Sequence, residues 1–379
     1  MSFPSISSHG GNPWALLESP VGDPSAILDF SADLNPLGPP PTLQPLLLEA
    51  MSRAAWYPEP TYREFREAAG RVEGVEPDHI LPGNGTADLI HLLSRWRAGR
   101  SVMVMTPTFT EYERAAAADG STVVPWQAVE EEGFTHRLPG PLGKEVEGGL
   151  LFLCNPNNPT GALWPEERLE ELVGRAEQAG AVLVVDEAYM DFVEERYAYS
   201  LAPLAARSRG LVVLRSLTKV FCIPGLRAGY LVGSAELVRE LRAIQTPWAM
   251  NAMAAHVGAR LLAQKQEADP PLRAVSAPSA GIGHWVASTR RQVGAWRSSL
   301  EEGLRALGGI RPYPSAANFV LCRLSSPGES SRTLAVRLAG RGILIRVCDD
   351  FTGLAPGQFI RIAVRRPEET RRLLEALSA

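Results

Sequence analysis

The chain has 379 residues, 45% hydrophobic and 21% charged, an ordinary globular composition at a length that suggests roughly two domains. Its 38 basic and 42 acidic residues leave a net charge of −4, so no basic surplus points to nucleic acid or an anionic membrane. Cys154, Cys222, Cys322 and Cys348 lack the spacing of a zinc site or a disulfide framework, no apolar run reaches the roughly 18 residues of a membrane span, and Met1-Ser2-Phe3-Pro4-Ser5 shows no basic region leading into an apolar run; a cytoplasmic protein is expected.

Residues 1–40, rich in Gly, Pro and Ser, read as an N-terminal arm that wraps over the surface or a neighbour and gives a segment to a small domain. Residues 41–240 read as a large α/β domain. Apolar runs at 102–105, 150–153, 181–185, 211–214 and 230–232 have the length of buried strands, and helical stripes lie between the first four, as at 110–118 and 165–178. That alternation argues for a mostly parallel central sheet covered on both faces. Residues 241–307 are expected to hold long interdomain helices: a pattern over 235–262 interrupted at Pro247, a loop insertion at 264–283, then helix over 285–307. Residues 308–379 alternate strand (318–324, 342–347, 359–364) with helix (331–340, 367–377), a small α+β domain.

In open α/β sheets ligands bind beyond the carboxyl ends of the strands. Here those ends are followed by Thr106-Pro107-Thr108-Phe109, Asn155-Pro156-Asn157-Asn158-Pro159-Thr160-Gly161, Asp186-Glu187-Ala188-Tyr189 and Arg215-Ser216-Leu217-Thr218-Lys219. Each has a bland reading: a solvated loop lysine, a capping aspartate, a Pro-Gly turn, a core phenylalanine. Together they suit one ligand. A lysine amine forms a Schiff base with an aldehyde cofactor, and an Asp at the pyridine nitrogen completes the signature of pyridoxal phosphate. Lys219 and Asp186 supply these groups. Tyr189 and Asn158 suit the ring's phenolic oxygen, and Phe109 a ring face. The phosphate is expected at Gly85 and Thr86, where a helix begins, with Ser216, Thr218 and Arg227.

These residues resemble the fold-type-I, aspartate-aminotransferase-like pyridoxal phosphate enzymes over about residues 9–377. The resemblance implies the same roles for Lys219, Asp186, Tyr189, Asn158, Phe109, Gly85, Thr86, Ser216, Thr218 and Arg227. It further implies that Tyr57 reaches the cofactor phosphate of a neighbouring subunit in a homodimer with shared active sites, and that Arg361 takes the substrate carboxylate. Within the family, His9-Gly10-Gly11, Leu34-Asn35-Pro36, Leu217-Thr218-Lys219 with Ile223-Pro224-Gly225, and Ile345-Arg346-Val347 resemble the L-threonine-O-3-phosphate decarboxylases of cobalamin biosynthesis. That resemblance implies a small phosphorylated amino acid as substrate, with Arg346, His9, Asn35 and Asn158 beside it. It implies loss of carbon dioxide to give 1-amino-2-propanol phosphate. The alternative is a histidinol-phosphate-type aminotransferase using the same residues.

Overall fold

The computed structural model describes residues 10–16, 26–134, 142–143, 146–266, 281–325 and 328–379. His9 and most of the 264–283 insertion lie outside the described residues. A short strand, β1 (Leu28–Asp29), comes first. The next seven form the central sheet: β2 (Ile80–Gly83), β3 (Ser101–Thr106), β4 (Thr122–Gln127), β5 (Leu150–Cys154), β6 (Val182–Asp186), β7 (Leu211–Ser216) and β8 (Gly229–Val232). Their order is β2-β8-β7-β6-β5-β3-β4. The β4, β3, β5, β6 and β7 neighbours pair in parallel, while β8 is antiparallel to both β7 and β2.

The five expected strands are present, and the sheet is mostly parallel. The reversal at β8 has a local cause. Residues 217–228 hold only a helical turn, Leu217–Val220, and a 3-10 turn, Pro224–Leu226. A parallel return normally needs a crossover of a dozen or more residues with a helix to span the sheet. The two strands not foreseen are the sheet's edges. β2 contains Pro82 and Gly83 and β4 contains Pro125, residues that weaken a strand signal but are tolerated where one side of the ladder is unpaired. The central strands β5 and β6 are buried at every position, as their unbroken apolar spelling demands. The helix Glu166–Gln178 buries Leu169, Leu172, Val173 and Ala176, the stripe expected of a helix against a sheet.

The pattern around Pro247 resolves into two helices, Ala235–Ile244 and Ala252–Gln266. Between them Trp248 adopts φ 53°. A 25-residue helix, Ile282–Ala306, follows. The C-terminal region contains β9 (Ile310–Pro312), β10 (Phe319–Leu324), β11 (Ile343–Leu344), β12 (Arg346–Val347) and β13 (Phe359–Ala363). An antiparallel sheet runs β12-β13-β10-β9, and β11 pairs in parallel with β1. The run 342–347, expected as one strand, therefore splits at Ile345 between two sheets. The N-terminal segment is stitched in on both sides: Phe30 donates its N–H to Leu344 O at 2.8 Å and accepts from Ala363 N at 2.9 Å.

Candidate active site

The ends of β3, β5, β6 and β7 open on one cleft of about 410 Å³, a volume suited to a cofactor and small substrate. Among its lining residues are Thr86, Phe109, Asn158, Asp186, Tyr189, Ser216, Thr218, Lys219, Arg227, Arg346 and Arg361. They come from several strand ends and turns, so no single segment makes the site.

Asp186 is the last residue of β6 and is 3% exposed. Its Oδ2 accepts from the Tyr112 hydroxyl at 2.8 Å and its Oδ1 from the Ala188 N–H at 3.0 Å. Burial raises its carboxyl above the ordinary range, although those two hydrogen bonds and the Lys219 charge pull the other way. A carboxylate left this way gains most from a cation placed against it. Tyr112 stacks on Phe152 at 4.9 Å and meets Phe109 edge-on at 5.7 Å, so the aromatic wall is rigid. Asn157 locks two strand ends together: its Nδ2 donates to Pro107 O and Thr160 Oγ1, and its Oδ1 accepts from Thr108. Its neighbour Asn158 is thereby aimed at the cleft, where Oδ1 accepts from Arg361 Nη1 at 2.6 Å.

At the opposite end, Gly85 precedes the helix Thr86–Trp96 with φ 84° and no side-chain cap on that helix. Its first backbone N–H groups are available to an anion. A Cβ at Gly85 would stand 2.6 Å from Arg227 Nη2, so glycine is what lets the guanidinium approach this turn. Ser216 and Thr218 share a hydroxyl hydrogen bond of 2.7 Å beside it. The donor set of N–H groups, two hydroxyls and a guanidinium fits a phosphate monoester, and Asp186 at the far wall fits a protonated ring nitrogen.

Lys219 Nζ projects between these ends and donates to Asp33 Oδ1 at 2.7 Å. Asp33 Oδ2 accepts from Arg361 Nη1 at 3.1 Å and from the Tyr189 hydroxyl. Asp33 and Tyr112 were not among the residues expected from sequence. Asp33 directly precedes Leu34-Asn35-Pro36, and Tyr112 lies three residues past Phe109, yet neither carries a local pattern that announces a partner more than seventy residues away.

Other expected residues stand differently. Asn35 does not line the cleft. Its Nδ2 donates to Val220 O and Thr289 Oγ1, its Oδ1 accepts from Leu37 N, and its own N–H donates to Lys219 O, so it fastens the arm to the Lys219 turn. Arg346 reaches the cleft but forks onto Asp350 at 2.8 and 2.7 Å, over the Phe351 ring. Tyr57 is exposed at the surface, stacked on Trp248 at 4.4 Å, away from its own chain's cleft. Gly10, next to His9, does line the cleft.

A buried ion cluster backs the site. Arg215 of β7 donates to Glu73 at 3.0 Å and Glu187 at 3.1 Å, and Lys265 donates to Asp191 at 2.6 Å. Burial opposes the charge on Asp191, but Lys265, Arg215, Arg196 and Arg290 outweigh it and hold the carboxyl well below its usual range. Glu187 follows Asp186 and Arg215 precedes Ser216, so this cluster fixes the backbone on which both cofactor-facing segments hang.

Fold and cleft together define a pyridoxal phosphate-binding α/β enzyme. The aminotransferase class I and II family model matches residues 27–377. The threonine-phosphate decarboxylase of Salmonella typhimurium is 33% identical over 374 residues, 98% of this chain and 96% of that one. The histidinol-phosphate aminotransferase of Roseiflexus castenholzii is 35% identical over 365 residues, 93% of this chain and 89% of its own. Among solved structures, the histidinol-phosphate aminotransferase of Clostridium acetobutylicum matches with a TM-score of 0.78 at 26% identity, covering 92% of this chain and 97% of that one. The chain belongs to the class I and II aminotransferase family, with an aspartate-aminotransferase-like fold and pyridoxal phosphate as cofactor. Among the described residues no helix is long and apolar enough to cross a membrane.

Proposed function

We propose that this enzyme decarboxylates L-threonine O-3-phosphate to (R)-1-amino-2-propanol O-phosphate, a step in cobalamin biosynthesis. The observation that carries the reading is a pair of arginines, Arg361 and Arg346, that line the same cleft as Lys219. Threonine phosphate brings a carboxylate and a phosphate to these two points; histidinol phosphate brings only the phosphate, and the 2-oxoglutarate of the second reading brings two carboxylates. The near full-length likeness to the Salmonella decarboxylase supports it. The likeness to the Roseiflexus aminotransferase favours the second reading, amine transfer to 2-oxoglutarate by the same residues.

Bound pyridoxal phosphate supplies a conjugated ring that takes up the electron pair left when a bond to the substrate's Cα breaks. Lys219 would tether it and handle the proton at Cα. Asp186, held by Tyr112, would keep the ring nitrogen protonated. Asn158 and Tyr189 would bond the ring oxygen and Phe109 would cover one ring face. Gly85, Thr86, Ser216, Thr218 and Arg227 would hold the phosphate. Arg361 would take the substrate carboxylate, since a guanidinium fork matches a carboxylate in plane. The arginines would influence the chemistry by the way they seat the substrate, and so by which bond to Cα is presented for cleavage.

The same reading includes a homodimer. Trp56 and Tyr57 are 76% and 78% exposed, and Met51 and Leu48 add apolar surface on the same stretch of chain. An exposed apolar patch of this kind marks an association surface, and a second copy seated there would receive Tyr57 at its cofactor phosphate. The reading is tested by incubating the enzyme with threonine phosphate and no oxo acid. Carbon dioxide release supports decarboxylation; turnover only with histidinol phosphate and 2-oxoglutarate contradicts it.

A further inference from the structure

Asp33 sits in the middle of the cleft, and the reaction as set out above gives it no task. Its carboxylate touches three residues of the proposed machinery: Lys219 through Oδ1, Arg361 and Tyr189 through Oδ2. It is 7% exposed. Its backbone is held as well, because Asn318 Nδ2 donates to Asp33 O at 2.9 Å and to Leu34 O at 3.2 Å, and Asn35 is tied to the Lys219 turn. The carboxylate is therefore fixed and does not ride on a swinging loop. Burial disfavours its charge, but Lys219 and Arg361, with hydrogen bonds from Lys219 and Tyr189, outweigh burial and hold the carboxyl well below its usual range. These contacts favour the ionised form of Asp33.

The two reactions ask opposite things of Lys219. Amine transfer begins with removal of the Cα proton, so the lysine nitrogen must arrive as a base. Decarboxylation begins with loss of carbon dioxide, after which the nitrogen has only to give a proton. A fixed anion against that nitrogen favours any state in which it carries positive charge. We propose that Asp33 is a positioning residue that sets reaction choice, holding Lys219 Nζ against its carboxylate so that this side chain serves as proton donor to Cα. The proposal rests on the decarboxylation reading. The bonds balance: the bond from Cα to the carboxylate breaks, its electron pair stays with Cα, and carbon dioxide leaves. The Nζ–H bond then breaks as the new C–H bond forms, and solvent restores the proton to Lys219 over the cycle.

Asp33→Asn keeps the shape and removes the charge, so the holoenzyme of this variant is the test. Two readouts are expected to move. With threonine phosphate and no oxo acid, conversion of the bound cofactor to its amine form, seen as a loss of the visible band that an oxo acid restores, rises about tenfold or more per carbon dioxide released. Without substrate, the midpoint of the pH-dependent change in that band moves to lower pH, which a packing defect would not cause. Asp33→Glu, with the charge restored, returns both readouts towards the native values. Absence of carbon dioxide from the native enzyme overturns the reading on which the proposal rests, before any variant is made. Native carbon dioxide release together with an Asp33→Asn enzyme of unchanged partition and unchanged band overturns the role of Asp33 alone. An Asp33→Glu enzyme that behaves like Asp33→Asn likewise overturns a role for the charge.

Discussion

Lys219 lines the cleft from a turn only four residues long, with its side chain 25% exposed and its Nζ bound to Asp33. Sodium borohydride is expected to fix the cofactor irreversibly to the native protein and not to Lys219→Ala, whose visible band should vanish on dialysis. Covalent attachment surviving in Lys219→Ala, located by peptide mapping, would move the assignment to another lysine. Asp186→Asn leaves the Tyr112 hydroxyl a partner but removes the charge from the wall facing the ring. A fall in kcat of about 10²–10³ is expected, the scale on which a preorganised electrostatic group is worth its place. A kcat within a few-fold of native would take Asp186 out of the chemistry. The side-chain identities at these positions were legible in the sequence because each follows an apolar strand. The contacts among them were not. Asp33 lies 186 residues from Lys219 and 328 from Arg361, and only the folded topology brings the three together.

The β5 loop shows how an element carries the site. Gly161 adopts φ 73°, and a Cβ there would lie 2.1 Å from Ser315 Oγ, while Ala316 donates its N–H to Gly161 O at 2.8 Å. This turn is the seam between the Asn158 loop and the segment joining β9 to β10. Gly161→Ala is expected to destabilise by about 1–3 kcal/mol, from overpacking and an unfavoured backbone. The loss should appear as a lower denaturant midpoint; an unchanged midpoint would mean the seam yields freely. The ion cluster behind β6 and β7 gives a pH prediction. Asp191's carboxyl lies below its ordinary 3.8 in the folded state, so the stability it adds is present above that value and is lost as pH falls below it. Asp191→Asn should cost about 3–5 kcal/mol at neutral pH, because it leaves Lys265 buried without its counter-charge, and the variant should lose less on acidification than the native protein. Parallel acid profiles for the two would contradict this. The core strands were readable as apolar runs, whereas the edge strands were hidden by Pro82 and Pro125, which a half-paired strand accepts.

At the scale of the whole molecule, the N-terminal segment is a structural tie between the two sheets. It pairs with β11 through β1, places Asp33 in the cleft and fastens the Lys219 turn through Asn35. The Gly- and Pro-rich spelling of residues 1–40 marks an arm that gives a segment to a small domain, but carries no periodicity to show where it docks. The α/β alternation, by contrast, announced the sheet and its carboxyl edge, and with them the place to look for a ligand. In the proposed reading, which bond at Cα breaks would be set by the substrate's seat among Arg346, Arg361 and Lys219 and by Asp33, and not by any local spelling. The most direct measurement is the stoichiometry of carbon dioxide to threonine phosphate consumed by the native enzyme in buffer free of oxo acids. One carbon dioxide and one aminopropanol phosphate per substrate, with the cofactor band retained, are expected. Consumption of a single equivalent per active site, with bleaching of the band and no carbon dioxide, would contradict it.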